Sequence, residues 1–328
     1  MTILIIILIP LLLFLIAQGY VYVISFFSPY HKRPAFDEPL VGEQYEAVAE
    51  DIYRISHIMQ RYAFEEVMIH AQDGTLLYGR YYHLKDGAPI TILFHGYRSH
   101  PYRDCSGGHA LARKMGFNTL VVDQRAHGRS SGRTITFGIK ERFDCLCWIN
   151  YLNHRFGTQN PIILSGLSMG AATVLMAADL NLPDNVCCIL ADSPYSAPTA
   201  IIEKVCADKN YPVPFCRPFL HMGALLSGRF RLNSASAIQA VRKAQIPILL
   251  IHGEDDRFVP CQMSLEIAAN CASRVELATF PDAGHGLCYM SDPLRYELVV
   301  THFLQTIPRI KNHINPTYIE NLHRNMAP

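Results

Sequence analysis

The 328-residue chain is half hydrophobic and carries 29 Lys and Arg against 28 Asp and Glu, a formal charge of +1. That balance argues against a nucleic-acid surface or a strongly acidic partner, and the length suits one large α/β domain or two small ones. Of ten cysteines, Cys145 and Cys147 sit in a helical pattern and Cys187 and Cys188 adjoin in an apolar run, which fits reduced thiols of a cytosolic environment better than a disulfide framework.

From Met1 to Tyr30 no side chain is charged, and Ile3 to Phe27 is almost wholly apolar. At 1.5 Å per residue the run reaches roughly 37 Å, enough to cross a bilayer with some tilt. A cleaved signal peptide is disfavoured by the missing basic n-region, the length of the run and the poor cleavage site Ala17-Gln18-Gly19. Residues 1–30 are therefore predicted to form a single-pass anchor in the cell membrane. Lys32 and Arg33 just past it, with Asp37 and Glu38 close behind, lean the catalytic domain to the cytoplasmic side.

Residues 31–64 read as a linker and an amphipathic helix over Glu43–Arg61. Val48, Ile52, Ile55, Met59 and Tyr62 recur at helical spacing, so this helix is expected to dock on the domain that follows. Its acidic polar face makes a membrane-surface role the weaker reading.

The domain spans 65–306. Glu66–Ile69 and Leu76–Tyr82 read as an antiparallel hairpin. Strands then follow over Ile90–Phe94, Thr119–Asp123, Ile162–Leu167, Val186–Ala191, Ile248–His252 and Arg274–Phe280. Helices alternate with them over Gly108–Met115, Ile139–Phe156, Ser168–Ala178, Cys261–Ala272 and Asp292–Gln305. Alternation of this kind predicts a mostly parallel eight-stranded sheet with helices on both faces, with chemistry at the carboxyl ends of the strands. An insertion over about 193–245, with an apolar pattern from Pro218 to Phe230, is expected to form a small helical cap whose apolar underside faces an acyl chain. The tail 307–328 is polar, mildly basic and expected to be poorly ordered.

The chemistry centres on Gly166-Leu167-Ser168-Met169-Gly170, a G-x-S-x-G between an apolar strand and a small-residue helix. The turn lifts Ser168 clear of the sheet, and the helix behind it aims its free N–H groups where an oxyanion would form. A serine nucleophile needs a base, and His285 follows the last strand in Asp282-Ala283-Gly284-His285-Gly286. The histidine needs a carboxylate to fix its tautomer. Asp255 and Asp256 compete after the seventh strand; Asp256 is preferred because it lies four residues past His252 and Val259-Pro260 follows.

From about residue 65 to 306 the chain resembles an α/β-hydrolase, and more narrowly the membrane-anchored bacterial serine hydrolases of the Bem46 type. The stretches that carry the resemblance are Phe94-His95-Gly96-Tyr97, the run Asp123–Gly132, the G-x-S-x-G, Phe137–Asp144, and the Asp256 and His285 motifs. The resemblance implies the chain order Ser, Asp, His and an oxyanion hole made by the amides of Tyr97 and Met169. Ala126 departs from the family pattern, where glycine usually precedes the His-Gly pair, and puts a local loop conformation in question.

Fifteen histidines form no metal-ligand motif, so no metal and no cofactor are implied. His95, His127 and His252 read as loop-holding, Cys105 as a structural thiol, and Arg98, His100 and Arg103 as a solvated loop that could instead meet an anionic head group. Asp192 stays unassigned. The expected function is a membrane-tethered serine hydrolase of carboxylic or lipid-derived acyl esters, acting on a small-molecule ester or acyl lipid. A serine peptidase or thioesterase of the same fold, or a non-catalytic ligand-binding membrane protein, are the alternatives.

Overall fold

A computed structural model of the chain describes residues 2–29 and 43–325. Lys32, Arg33, Asp37 and Glu38, on which the expected orientation rests, lie outside the described residues. The chain begins with α1 (Thr2–Ser25), α2 (Glu43–Glu46) and α3 (Ala49–Arg61). A hairpin, β1 (Glu65–His70) and β2 (Leu76–Tyr82), leads into β3 (Ile90–Phe94). There follow α4 (Pro101–Asp104), α5 (Ser106–Met115), β4 (Asn118–Asp123), α6 (Glu141–Phe156), β5 (Ile162–Leu167) and α7 (Met169–Ala177).

β6 (Val186–Asp192) precedes the insertion, which holds α8 (Pro198–Asp208), α9 (Val213–Met222), a π-helical turn (Gly223–Ser227) and α10 (Ala237–Val241). β7 (Ile248–Gly253), α11 (Gln262–Ala269), β8 (Val275–Phe280), α12 (Cys288–Ser291), α13 (Pro293–Gln305) and α14 (Pro316–Arg324) complete the chain.

The strands form one sheet in the order β1-β2-β4-β3-β5-β6-β7-β8. β3 through β8 pair in parallel, while β1 and β2 run antiparallel at one edge. The period-2 geometry of a strand sends alternate side chains to opposite faces. Leu164, Ile189 and Leu250 accordingly join Trp148, Leu152, Val174 and Ile267 under α6, α7 and α11. Ile163, Cys188, Leu249 and Ile251 point the other way, onto Leu111, Met115, Phe303 and Leu304 of α5 and α13. Both faces are thus covered, which is why the central strands are apolar throughout.

The chain moves one way along the sheet from β3 to β4 and the other way from β5 onward. The reversal leaves a crevice at the carboxyl ends of β3 and β5, the place where open α/β sheets collect ligands.

Three expectations need correction. The predicted helix over 43–61 is broken at residues 47–48 into α2 and α3. α3 does dock as expected, burying Ile52 and Met59 and donating a hydrogen bond from Ser56 Oγ to the Tyr102 carbonyl at 2.6 Å. The insertion does not roof Ser168: α9 and the π-helical turn pack on α1, with Phe14 meeting Phe219 at 5.1 Å between ring centres.

The tail, expected to be loose, is ordered through α14. Ile310, Ile314, Tyr318 and Leu322 recur every fourth residue and bury against α5 and α13, an apolar stripe that the surrounding polar residues disguise. Asn315 caps α14 through its side chain and Pro316 opens it. Ile314→Ala should therefore lower unfolding stability by about 2–4 kcal/mol in urea titration of the detergent-solubilised protein. A loss below about 0.5 kcal/mol, the size of an ordinary surface change, would contradict a core role for this segment.

Candidate active site

Ser168 stands at the carboxyl end of β5 with φ +56° and ψ −114°, a strained conformation for a residue with a side chain. Two glycines make that turn possible. A Cβ on Gly166 would collide with the Gly170 carbonyl, and one on Gly170 would strike the Phe94 carbonyl oxygen and lie 2.8 Å from that of His95. α7 can therefore start directly over the ends of β3 and β5 only because both positions lack side chains. The Ser168 amide donates to the Asp192 carbonyl at 2.8 Å, which fixes the turn from below.

The structure brings the three predicted side chains together. His285, nine-tenths buried in the loop after β8, lies with Nε2 2.9 Å from Ser168 Oγ and Nδ1 2.7 Å from Asp256 Oδ2. A carboxylate accepts only, so His285 Nδ1–H is the donor to Asp256 and Nε2 is left to accept from the Ser168 hydroxyl. Asp255 is exposed, and Asp256 occupies the buried position.

Burial alone would raise the Asp256 pKa, but hydrogen bonds from His252 and His285 and the Val259 amide outweigh it and pull it down to about 2. The second carboxylate oxygen accepts from the Phe258 and Val259 amides at 2.9 and 2.7 Å. His252, read from sequence as loop-holding, accepts from Ser264 Oγ–H at Nδ1 and donates from Nε2 to the Val259 carbonyl, with Asp256 Oδ2 3.3 Å away.

The turn after β3 crosses close above the serine: a Cβ on Gly96 would lie 3.5 Å from Ser168 Cβ. This places the Tyr97 segment beside the start of α7, whose first residue is Met169. The turn is held by Asp104, a residue not singled out from sequence. Its Oδ2 accepts from the Gly96 amide at 2.7 Å and its Oδ1 from Arg103 Nε–H at 2.8 Å. Burial works against its charge, yet the Arg103 guanidinium and these donors keep the carboxyl well below the usual carboxylate range.

A cavity of about 330 Å³ surrounds Ser168 and His285. Its walls include Tyr97, Arg103 and Asp104, Phe258 and Leu287, and, from the segment ahead of the sheet, Gln44, Tyr45 and Ile52. Gln44 Oε1 accepts from the His285 amide at 3.2 Å, so α2 braces the loop that carries the histidine. No hydrophobic periodicity in the sequence could have signalled that contact, because it depends on a fold-back across residues far apart in the chain.

The other tempting residues separate cleanly. Arg98 does not face the cavity; its guanidinium donates to the carbonyls of Ile24 and Phe27 at the end of α1. His100 caps α4, accepting from the Arg103 amide, and burial lowers its pKa to about 4. His95 and His127 are buried and tie two loops together, His95 Nε2 accepting from the Gln124 amide and His127 Nε2 from the Arg98 amide.

Cys105 is buried beside Met59, Tyr82 and Leu93, and burial pushes its thiol up. Asp192 lines the cavity, accepts from Ser193 Oγ–H at 2.9 Å, and has its pKa raised by burial. Ala126 adopts φ +63°, so the loop keeps the left-handed conformation natural to glycine despite the alanine.

The depressed Asp256 carboxyl has a consequence for stability. Its folded pKa of about 2 lies below the ordinary 3.8, so its contribution is present above pH 4 and is lost as pH falls toward 2. The shift corresponds to about 2 kcal/mol. The stability advantage of the wild type over Asp256→Asn should shrink by about that amount between pH 5 and pH 2 in urea titrations. A gap that does not change with pH would show that Asp256 is not the ionised partner.

Comparison with known proteins agrees with this architecture. The chain is 24% identical over 258 residues to the uncharacterized protein YqkD of Bacillus subtilis, covering 78% of this chain and 83% of that one. It is 28% identical over 236 residues to a monoacylglycerol lipase of Mycolicibacterium smegmatis, covering 61% and 82% respectively. The structure superposes on the Pyrococcus furiosus esterase Pf2001 with TM-score 0.63 and 24% identity, over 82% of this chain and 96% of the esterase. With residues 91–297 matching the family model, and with the sheet order and strand-turn-helix at Ser168 in place, the chain belongs to the alpha/beta hydrolase family.

Proposed function

We propose that the protein is a membrane-anchored serine hydrolase that cleaves carboxylic esters, lipid-derived acyl esters among them, with its catalytic domain on the cytoplasmic side. The observation that carries this reading is the unbroken hydrogen-bonded line from Asp256 Oδ2 through His285 to Ser168 Oγ. Ser168 Oγ attacks the ester carbonyl carbon while its proton passes to His285 Nε2. The imidazolium is steadied by the Asp256 carboxylate, and the oxyanion is held by the amides of Tyr97 and Met169. Collapse expels the alcohol, which takes the proton from His285 and leaves an acyl group on Ser168. Water, deprotonated by the same imidazole, then attacks the acyl carbon, the bond to Ser168 Oγ breaks as Oγ takes that proton back from His285, and the acid leaves.

This route needs neither metal nor cofactor. Choice of an ester over other acyl compounds rests on the names of the lipase and esterase relatives. Choice of a lipid rests on α1, one described helix long and apolar enough by length and composition to cross a membrane. The mixed wall of the cavity, with Ile52, Leu167, Phe258 and Leu287 beside Arg103 and Gln44, suits an acyl ester with a polar end.

Ser168→Ala should abolish fluorophosphonate labelling and lower the turnover of short-chain p-nitrophenyl esters by about 10⁴-fold or more. Labelling that persists in this variant would overturn the assignment. Asp104→Ala should loosen the turn bearing Tyr97 and lower kcat by about 10²-fold with KM little changed, and Asp104→Asn, which keeps an acceptor for the Gly96 amide, should recover part of the loss. A change in KM alone would argue that Asp104 shapes binding rather than the oxyanion turn.

A further inference from the structure

The outer surface carries an apolar feature that ester chemistry at Ser168 does not use. α1 exposes Leu8, Ile9, Leu12, Leu13, Ile16 and Val23, and the insertion extends that surface. Phe14 meets Phe219, and Phe219 meets Phe215 at 5.4 Å between ring centres. Further along, a Cβ on Gly223 would lie 2.9 Å from the Gln18 carbonyl oxygen, so the π-helical turn sits directly on α1. Ser227 Oγ–H donates to Gln18 Oε1 across the same contact. On the outer side of this pairing Phe215 is 67% exposed, Tyr211 54%, Leu226 49% and Leu225 43%. A contiguous patch of this kind is uncommon on a protein that meets only water.

Length narrows the choice of occupant. The part of α1 ahead of its contact with Phe219, Thr2–Leu13, is about 18 Å long, against roughly 30 Å for a hydrocarbon core. α1 cannot cross a bilayer on that part alone, so deeper insertion carries the flank of α9 and the π-helical turn in with it.

Charge points to the same occupant. Arg98 bonds the Ile24 carbonyl in the last turn of α1 and the Phe27 carbonyl just past it, and the Ser28 amide donates to the Arg133 carbonyl. Phe230 packs edge-on against Phe26 at 5.3 Å, which sets the exposed Arg229 and Arg231 at that same end. Four arginine positions thus lie near one end of the apolar surface, an arrangement that suits anionic head groups. The opposite side of α9 is polar, with Arg217 paired to Glu203.

We propose that α1 and the insertion together form one lipid-facing surface, with Phe215, Leu225 and Leu226 in contact with acyl chains and Arg98, Arg133, Arg229 and Arg231 at head-group level. The proposal rests on the membrane-anchored reading above and adds the source of the substrate. The end of α1 lies beside the active cavity, because Tyr97 Oη–H donates to the Ser25 carbonyl at 2.8 Å. An acyl ester then reaches Ser168 from the bilayer rather than from bulk water.

Two measurements on the full chain test this. Leu226→Trp and Phe215→Trp, in vesicles of phosphatidylcholine and phosphatidylglycerol with brominated acyl chains, should lose about half or more of their added emission. Trp148, buried against the sheet, supplies the unquenched reference. Full emission from protein that floats with the vesicles overturns the proposal, including the case in which sedimentation shows a second copy covering the patch.

In the second, Phe215→Gln/Leu225→Gln/Leu226→Gln should keep soluble short-chain ester hydrolysis within about twofold. It should lose about fivefold or more on a long-chain monoacylglycerol carried in vesicles. Equal effects on both substrates overturn the proposal. A wild type that floats and is quenched but hydrolyses neither ester would reject the hydrolase reading and leave the lipid-facing surface standing.

Discussion

The fold turns on a steric constraint of a few ångströms. α7 begins against the carbonyl ends of β3 and β5, so close that neither Gly166 nor Gly170 could carry a methyl group. The tight passage forces Ser168 into a backbone conformation costing of order 1–3 kcal/mol, which only a well-packed surrounding can hold. That surrounding is α7 itself, buried along its whole length between the sheet and α6. In return the serine oxygen stands proud of the sheet where the strand order reverses, within reach of loops from β3, β7 and β8.

Electrostatics builds on this geometry in two places. Asp256 keeps its charge in a buried site because both oxygens are occupied by donors, from the Phe258 and Val259 amides on one side and His285 on the other. A buried carboxylate without such partners would protonate, and could no longer hold the imidazole in one tautomer. Asp104 does the same for the turn after β3, pairing with Arg103 while it grips the Gly96 amide. Two ionised carboxylates thus flank Ser168, one beside His285 and one beside the turn that carries Tyr97.

Much of this was legible in sequence, for identifiable reasons. Strand positions were readable to within a residue because buried parallel strands are short continuous apolar runs bounded by turn residues. That Ser168, Asp256 and His285 would meet was readable because strand-end motifs report local backbone requirements.

Contacts that no strand pattern or strand-end motif announces were not. Gln44 under His285 and Asp104 under Gly96 are single polar residues whose roles come from tertiary neighbours. The insertion was placed over Ser168 from its apolar pattern, but an apolar face does not name its partner, and α9 chose α1. The tail was misjudged because four apolar residues at every fourth position are diluted by polar neighbours. That the chain just past α1 packs into the domain through Phe26, against Phe137 and Phe230, was likewise invisible to a reading that treated α1 as a tether.

The central claim is that the Ser168 hydroxyl, activated by His285, becomes covalently acylated during turnover. Rapid acid quench of the enzyme with a slowly deacylating aryl ester, followed by mass mapping of the peptides, measures this directly. The acyl mass on the peptide at Ser168, forming at the rate of the initial burst of phenol release, is the result the geometry requires. Turnover with the acyl group on another residue, or with no covalent intermediate while Ser168 stays unmodified, would contradict it.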